Sequence, residues 1–259
     1  MLSTLAGVLG FPVGHSRSPA MMNAAFAEVG LDWRYLALPL PPERFRETVK
    51  ALHGSGFRAA NVTIPHKLAA HELADELSDA ARAIGAVNTL TFRDDGTIAG
   101  DNTDAGGLLD ALGDATPRTA LVLGAGGAAR AAAWALKDAG ARVTIWSRTA
   151  TAASELAREL GVEPSEQPGP ADLVVNATSI GLRPEDSLEG VPLVECRVVA
   201  DLVYGGGSTP IARWAEERGA HLVEGLEVLV RQGARSFALW TGREAPVEVM
   251  REAARPSPV

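Results

Sequence analysis

One stretch constrains this chain more than any other: Thr119–Thr149, TALVLGAGGAARAAAWALKDAGARVTIWSRT. It opens on Thr119–Leu123, a short apolar run without alternation, as in a strand buried on both faces of a parallel sheet. Gly124-Ala125-Gly126-Gly127-Ala128-Ala129 follows and fits G-x-G-x-x-A. An alanine-rich helical segment then runs toward Gly140, and Arg142–Trp146 supplies a second strand. Strand, glycine loop, helix and strand within about thirty residues is the context that a dinucleotide fingerprint requires. Gly124 permits the tight turn, Gly126 lets the backbone approach a pyrophosphate, and Ala129 is small enough for close packing of helix on strand. Gly127 and Ala128 open the helix, where free N–H groups bind phosphate.

The same unit bears on which dinucleotide is bound. An NAD reader carries Asp or Glu about 20 residues on, at the end of the second strand, to hold the ribose 2′-OH. Here that place reads Ser147-Arg148-Thr149, with no acid. An arginine fork suits a 2′-phosphate, because a bidentate charged contact is strong and geometrically selective. Arg148 taken alone reads more readily as a solvated loop arginine; the missing acid and its position turn the reading toward NADP.

The rest of the composition sets bounds. With 259 residues the chain can bury a large core and is expected to form two domains. Hydrophobic content of 46% and charged content of 22% fit a soluble globular protein. A net charge of −8 argues against a nucleic-acid or anionic-membrane partner. Cys196 is alone, which excludes an internal disulfide and points to a reducing cytoplasm. The N-terminal MLSTLAGVLGFPVGHS has no basic n-region, and no apolar stretch reaches membrane-spanning length. The histidines show no metal-ligand spacing. Lysine occurs only at Lys50, Lys67 and Lys137, and asparagine only at Asn23, Asn61, Asn88, Asn102 and Asn176. Few thermolabile amides fit a heat-adapted chain, while a GC-rich coding sequence would account for the arginine bias equally well. Either way, the surviving lysines and asparagines are where chemistry is to be sought.

Residues 1–103 read as alternating strands and helices: strands at Ala6–Gly10, Trp33–Leu38 and Ala59–Val62, and helices over Pro19–Gly30 and Glu43–Leu52. Ser18 suits an N-cap with Pro19 at the first helical position, and Pro65 opens a helix with Lys67 in its first turn. Asp94-Asp95-Gly96 joins a hairpin between Asn88–Phe92 and Thr97–Gly100. Asp101–Asp104 caps the helix that leads into the dinucleotide unit, which places a domain boundary there. Beyond Thr149 a helix is expected at Ala152–Leu160, strands at Leu173–Asn176, Val198–Leu202 and His221–Val223, and a surface loop over 164–170. The last two helices, Glu227–Trp240 and Pro246–Ala254, are expected to return to the first domain.

Four stretches together resemble the shikimate dehydrogenase family: GFPVGHSRSPAMMN (10–23), NVTIPHK (61–67), AIGAVNT (83–89) with GDNTD (100–104), and GAGGAAR (124–130). SRT (147–149), NATSIG (176–181), DLVY (201–204) and GLEVLVRQ (225–232) add to it. The resemblance spans nearly the whole chain in order. It implies an α/β fold of two domains, with an active-site cleft between them. Residues 1–103 plus 225–259 would form an α/β shikimate-binding domain, and 104–224 a Rossmann-type, doubly wound NADP-binding domain. It implies NADPH-dependent reduction of 3-dehydroshikimate to shikimate, on the route to aromatic amino acids, by a cytoplasmic monomer or homodimer.

The resemblance also implies roles. Ser16 and Ser18 match a carboxylate anchor, two hydroxyls at a helix N-terminus where an anion is favoured. Asn61, Thr63, Asn88 and Gln232 offer groups that sort a polyhydroxylated ring; Thr63, Asn88 and Gln232, with Tyr204, fall where the family binds substrate. Lys67 and Asp104 match the catalytic pair, Lys67 carrying the proton and Asp104 orienting it and the substrate hydroxyl. Only lysine, not arginine, can lose its proton at a usable pH. Asn176 and Thr178, after a central strand, suit the nicotinamide side of a crevice. Leu202 and Gly225 match cofactor-contacting positions, as do Gly124–Ala128 and Ser147–Thr149. The chain departs from the family pattern at Met22, at Gly205-Gly206-Gly207, and at Ala152, where a second basic residue often holds the 2′-phosphate. Two other readings stand beside this one: a quinate/shikimate dehydrogenase using NAD, and a non-catalytic NADP-sensing module. Arg148 weighs against the first, Lys67 and Asp104 against the second.

Overall fold

The computed structural model describes residues 3–114, 117–204 and 208–255. In chain order it contains β1 (Thr4–Gly10), α1 (Ser18–Glu28), β2 (Trp33–Pro39), a short 3-10 turn (Pro42–Arg44), α2 (Phe45–His53), β3 (Phe57–Val62), α3 (Lys67–Leu73), β4 (Glu76–Leu77), α4 (Asp79–Ile84), β5 (Thr89–Phe92) and β6 (Ile98–Asp101). There follow α5 (Thr103–Leu112), β7 (Thr119–Leu123), α6 (Gly127–Asp138), β8 (Arg142–Trp146), α7 (Ala150–Leu160), β9 (Glu163–Pro164), β10 (Leu173–Asn176), β11 (Val198–Asp201), α8 (Pro210–Glu217), β12 (His221–Val223), α9 (Gly225–Thr241) and α10 (Val247–Ala254). Two compact units result, Met1–Thr103 with Val230–Val259, and Asp104–Leu229.

The first unit is built on a mixed sheet ordered β2-β1-β3-β5-β6-β4. β1 pairs parallel with β2 and β3, while β5 runs antiparallel to β3 and to β6. Leu9, Phe45, Val49, Val62, Leu90 and Phe92 lie in the core under one face. α10 packs on α1, and Phe26 of α1 stacks on Phe237 of α9 at 5.4 Å between ring centres. The β5–β6 hairpin turns at Gly96, whose φ of +94° only glycine adopts without strain.

The second unit is built on a wholly parallel sheet ordered β12-β11-β10-β7-β8-β9. Numbered within the unit, this is the doubly wound order 3-2-1-4-5-6, whose topological switch lies between β7 and β10. Val122, Val174, Val175, Ile145 and Ala200 are fully buried, as strands covered on both faces require. Ala129, Ala132, Ala133 and Leu136, one face of α6, pack against that sheet with almost no surface left exposed.

Several local expectations are corrected. α3 begins at Lys67, because the His66 N–H donates to the Thr63 carbonyl at 2.9 Å and closes a turn across Ile64-Pro65 first. α1 begins at Ser18 with Arg17 as its N-cap, so Ser18 is one position inside the helix. β4 and α4 were not expected; Ser78 caps α4 by accepting from the Ala81 N–H at 3.1 Å. Glu163–Pro164, with Pro164 expected in a loop, is a short strand beside β8. The Gly205–Gly207 departure lies outside the described residues.

Candidate active site

In the first unit the carboxyl ends of β1 and β3 bring the candidate substrate residues together. Thr63 follows β3, and its N–H donates to the Leu9 carbonyl at 2.9 Å. A side chain on Gly10 would meet Thr63 Cγ2 at 2.4 Å and Val13 Cγ2 at 3.3 Å, so both residues pack on that glycine. Val13 in turn accepts the Ser16 N–H at 3.0 Å. Ser16 Oγ accepts the Ser18 N–H at 3.2 Å. Ser16 therefore has a structural role, in which its hydroxyl oxygen accepts and its O–H is not used. Ser18 is buried and makes no side-chain cap.

Lys67, the first residue of α3, accepts the Val87 N–H on its carbonyl at 3.0 Å, which holds it next to Asn88. His66 before it is spent on packing: it stacks on Phe45 at 4.5 Å, and its Nε2 lies 2.7 Å from the Leu40 carbonyl. Burial pushes its pKa down.

Asn88 is the centre of a buried polar network. Its Oδ1 accepts the Thr103 N–H at 2.7 Å and the Thr89 hydroxyl at 2.9 Å. Its Nδ2 donates to Thr103 Oγ1 at 3.0 Å and to Gln232 Oε1 at 3.3 Å. A backbone N–H can only donate, so the Thr103 contact fixes which end of the Asn88 amide is which. The orientation passes on: Gln232 turns its oxygen to Asn88 and to the Thr103 hydroxyl. Ser236, one turn beyond Gln232, lies 3.0 Å from the hydroxyls of both Thr89 and Thr103 and accepts from Asn61 Nδ2 at 2.9 Å. Asn61 also accepts the Tyr35 hydroxyl at 2.7 Å. Asn61 thus belongs to the scaffold, and Tyr35, Thr89, Thr103 and Ser236 are members that the sequence reading missed. Their only signal was polarity at helix or strand positions that turn out to be buried.

In the second unit the glycine loop is set out at the carboxyl end of β7. The Gly124 N–H donates to the Trp146 carbonyl at 2.7 Å, and Gly124 has φ +118°. A Cβ there would meet the Ala177 carbonyl oxygen at 2.8 Å, so this glycine answers to the protein's own packing. Gly126 differs. It is the N-cap of α6 with extended backbone, and a Cβ on it would meet no protein atom within 4 Å. Ala125 packs on the core below the loop. Gly127 and Ala128 begin α6, which carries no acidic side chain in its first turn. Space left by Gly126 in front of an uncapped helix start fits a pyrophosphate. Ser147, Arg148 and Thr149 follow β8, with Ser147 Oγ accepting the Thr149 N–H at 3.4 Å and Arg148 exposed.

Asn176 ends β10 and is spent inside its own loop. Its Oδ1 accepts the Thr178 hydroxyl at 2.6 Å and the Thr178 N–H at 3.2 Å, and its Nδ2 donates to Asp201 at 2.8 Å and to the Ile180 carbonyl at 3.2 Å. Asn176 therefore shapes the 176–181 loop rather than reaching out of it. Thr178 Oγ1 also accepts the Ile180 N–H at 3.0 Å. Asp201, not foreseen, is a buried carboxylate that gathers Asn176, the Val203 N–H at 3.1 Å and the Thr209 hydroxyl. Burial raises its pKa, against the lowering effect of those donors. The Leu202 N–H donates to the Asn176 carbonyl at 3.0 Å, and Tyr204 is half-buried two residues on. Gly225 opens α9 so close to β11 that a Cβ would lie 2.7 Å from the Asp201 carbonyl oxygen. Asp104 lies in the first turn of α5, directly after Thr103. Among the described residues no group of three His, Cys, Asp or Glu could hold a metal ion, and no helix is long and apolar enough to cross a membrane.

Comparison with known proteins bears on this arrangement. Residues 8–90 match the family model described as the shikimate dehydrogenase substrate binding domain, and 225–255 that of the shikimate 5′-dehydrogenase C-terminal domain. The chain is 48% identical to a shikimate dehydrogenase (NADP(+)) of Anaeromyxobacter sp. strain Fw109-5, over 96% of this chain and 94% of that one. Its fold matches the crystal structure of shikimate 5-dehydrogenase from Thermus thermophilus in complex with NADP(H) and shikimate, with TM-score 0.87 and 41% identity over 97% and 98% of the two chains. The Aquifex aeolicus shikimate dehydrogenase structure gives TM-score 0.89 and 36% identity, covering 99% of this chain and 100% of that one. A glycine loop at the switch point of a doubly wound sheet, a separate unit with a buried amide network, and likeness over nearly the full length lead to one conclusion: the chain belongs to the shikimate dehydrogenase family.

Proposed function

We infer that this chain catalyses the reversible, NADP-dependent interconversion of shikimate and 3-dehydroshikimate. The observation that carries the reading is the first unit's network: Asn88 and Gln232 are locked with known amide orientation beside Thr63 and Lys67. That is a rigid set of donors and acceptors suited to a ring bearing several hydroxyls. Ser16 and Ser18 hold the substrate carboxylate, and Thr63, Asn88, Gln232 and Tyr204 hold the ring. Lys67 Nζ takes the proton from the reacting hydroxyl in one direction and returns it in the other, with Asp104 orienting both. Bound NADP supplies the hydride acceptor. The loop Gly124–Ala128 holds its pyrophosphate, and Ser147, Arg148 and Thr149 its 2′-phosphate. Thr178, Leu202 and Gly225 form the nicotinamide side, on a loop that Asn176 shapes. Residues 104–224 serve as the NADP-binding domain and the remainder as the substrate domain. The enzyme works as a monomer or homodimer in the cytoplasm.

The test is spectrophotometric. Purified protein with shikimate and NADP+ should generate the near-ultraviolet absorbance of NADPH, with quinate and NAD+ as the comparison pair. A rate with quinate and NAD+ above that with shikimate and NADP+ would transfer the chain to the quinate-using class. No rate with either pair, while NADP+ still binds, would favour a sensing module.

A further inference from the structure

The 2′ side of the cofactor site carries an acid that linear spacing hides. β9 pairs parallel with β8, Ile145 opposite Pro164. The Ser165 N–H donates to the Ile145 carbonyl at 3.0 Å, the bond that closes this last pair. Ser147 and Glu166 each stand two residues beyond that pair. Both line one pocket of about 170 Å³, with Ala150 and Ser154 of α7 and with Ser165. Ser147 directly follows β8, the place from which dinucleotide folds read the adenosine ribose. The chain thus presents two opposed readers there: Arg148 along the chain, and Glu166 across the sheet. Neither has an ion-pair partner among the described residues.

We propose that Glu166 is a specificity-determining residue at the ribose 2′ position, opposing Arg148 so that the chain binds NAD as well as NADP, with a modest preference for NADP. This rests on the dinucleotide reading given above. A carboxylate accepts a hydrogen bond from a ribose 2′-OH. It repels a 2′-phosphate, which carries about −1.5 to −2 charges at neutral pH. Ala152 adds no second cation on α7 to outweigh it.

The test is direct binding to the full chain, by calorimetry without substrate, for NADP+ and NAD+ with wild type, Glu166→Gln and Glu166→Lys. Glu166→Gln should tighten NADP+ by about three- to tenfold, as expected for one like charge removed at a surface site. NAD+ should be unchanged or weakened. Glu166→Lys should shift the ratio further in the same direction, and high salt should shrink both shifts, since the interaction is screened. An unchanged NADP+/NAD+ ratio in both variants, or equal tightening of both cofactors, would overturn the proposal and leave the dinucleotide site standing. Binding of neither dinucleotide to wild type would overturn both.

Discussion

Asn88 and Gln232, 144 residues apart in the chain, meet through Asn88 Nδ2 and Gln232 Oε1 at 3.3 Å. The Thr103 N–H, 2.7 Å from Asn88 Oδ1, dictates which end of the Asn88 amide faces Gln232. Asn88 therefore joins Thr103 and Gln232 in one buried network.

Replacing Asn88 by Ala should leave the buried Thr103 N–H without an acceptor. The expected cost is about 1–3 kcal/mol, the usual penalty of an unsatisfied buried donor. Urea unfolding measures it, and a variant as stable as wild type would mean that the network relaxes around the gap.

Gly124 and Gly126 should respond differently to the same change. Gly124→Ala puts a Cβ 2.8 Å from the Ala177 carbonyl oxygen at φ +118°, and should lower Tm. Gly126→Ala meets no protein atom within 4 Å, so Tm should hold while NADP+ affinity falls. Thermal melts with calorimetric titration separate the two; a Gly126 variant with normal affinity would remove the pyrophosphate from that place.

Arg148→Ala should weaken NADPH binding by about 1.5–3 kcal/mol, the range for a hydrogen bond to a charged group. NADH, lacking the 2′-phosphate, should be nearly unaffected. Equal losses for both would make Arg148 a structural residue.

Lys67→Met should lower kcat by about 10²–10⁴ with little change in KM, as for a lost general acid–base. Asp104→Asn should lower kcat as well, and the double variant should fall short of the product of the two losses. Near-normal kcat in Lys67→Met would take the proton-carrier role away from Lys67.

Asp201 gives the pH test. Burial raises its pKa above the ordinary carboxylate value, so over the interval between the two values the folded state holds more proton than the unfolded one. Stability then falls as pH rises from about 4 through the folded pKa, and is level beyond it. Asp201→Asn removes this term. The stability of the variant relative to wild type should therefore rise across that interval, measured by denaturant unfolding at a series of pH values. A pH-independent difference would mean that Asp201 titrates normally.

What the sequence determined by itself was whatever depends on near neighbours. The β7–α6–β8 unit, the hairpin at Gly96, the strands at Leu173–Asn176 and His221–Val223, and the sites of Lys67 and Asp104 at helix starts all follow from hydrophobic period, glycine and proline placement, and contiguous motifs. The family was legible for the same reason, because its motifs are short runs of adjacent residues. Tertiary structure alone decided which polar groups are inside and which atoms they offer. Nothing local in Ser236 or Thr89 says that each touches Asn61, and nothing in Asn88 says which way its amide points until the Thr103 N–H arrives from 15 residues away. Asp201, which falls within the expected strand Val198–Leu202, is a buried hub joining Asn176, Val203 and Thr209. Glu166 was hidden most completely: it is 19 residues past Ser147 along the chain, yet the pairing of β8 with β9 leaves the two lining one pocket. A parallel pair joins strands through a long crossover, so the residues it sets side by side are distant in sequence, and no window along the chain contains both.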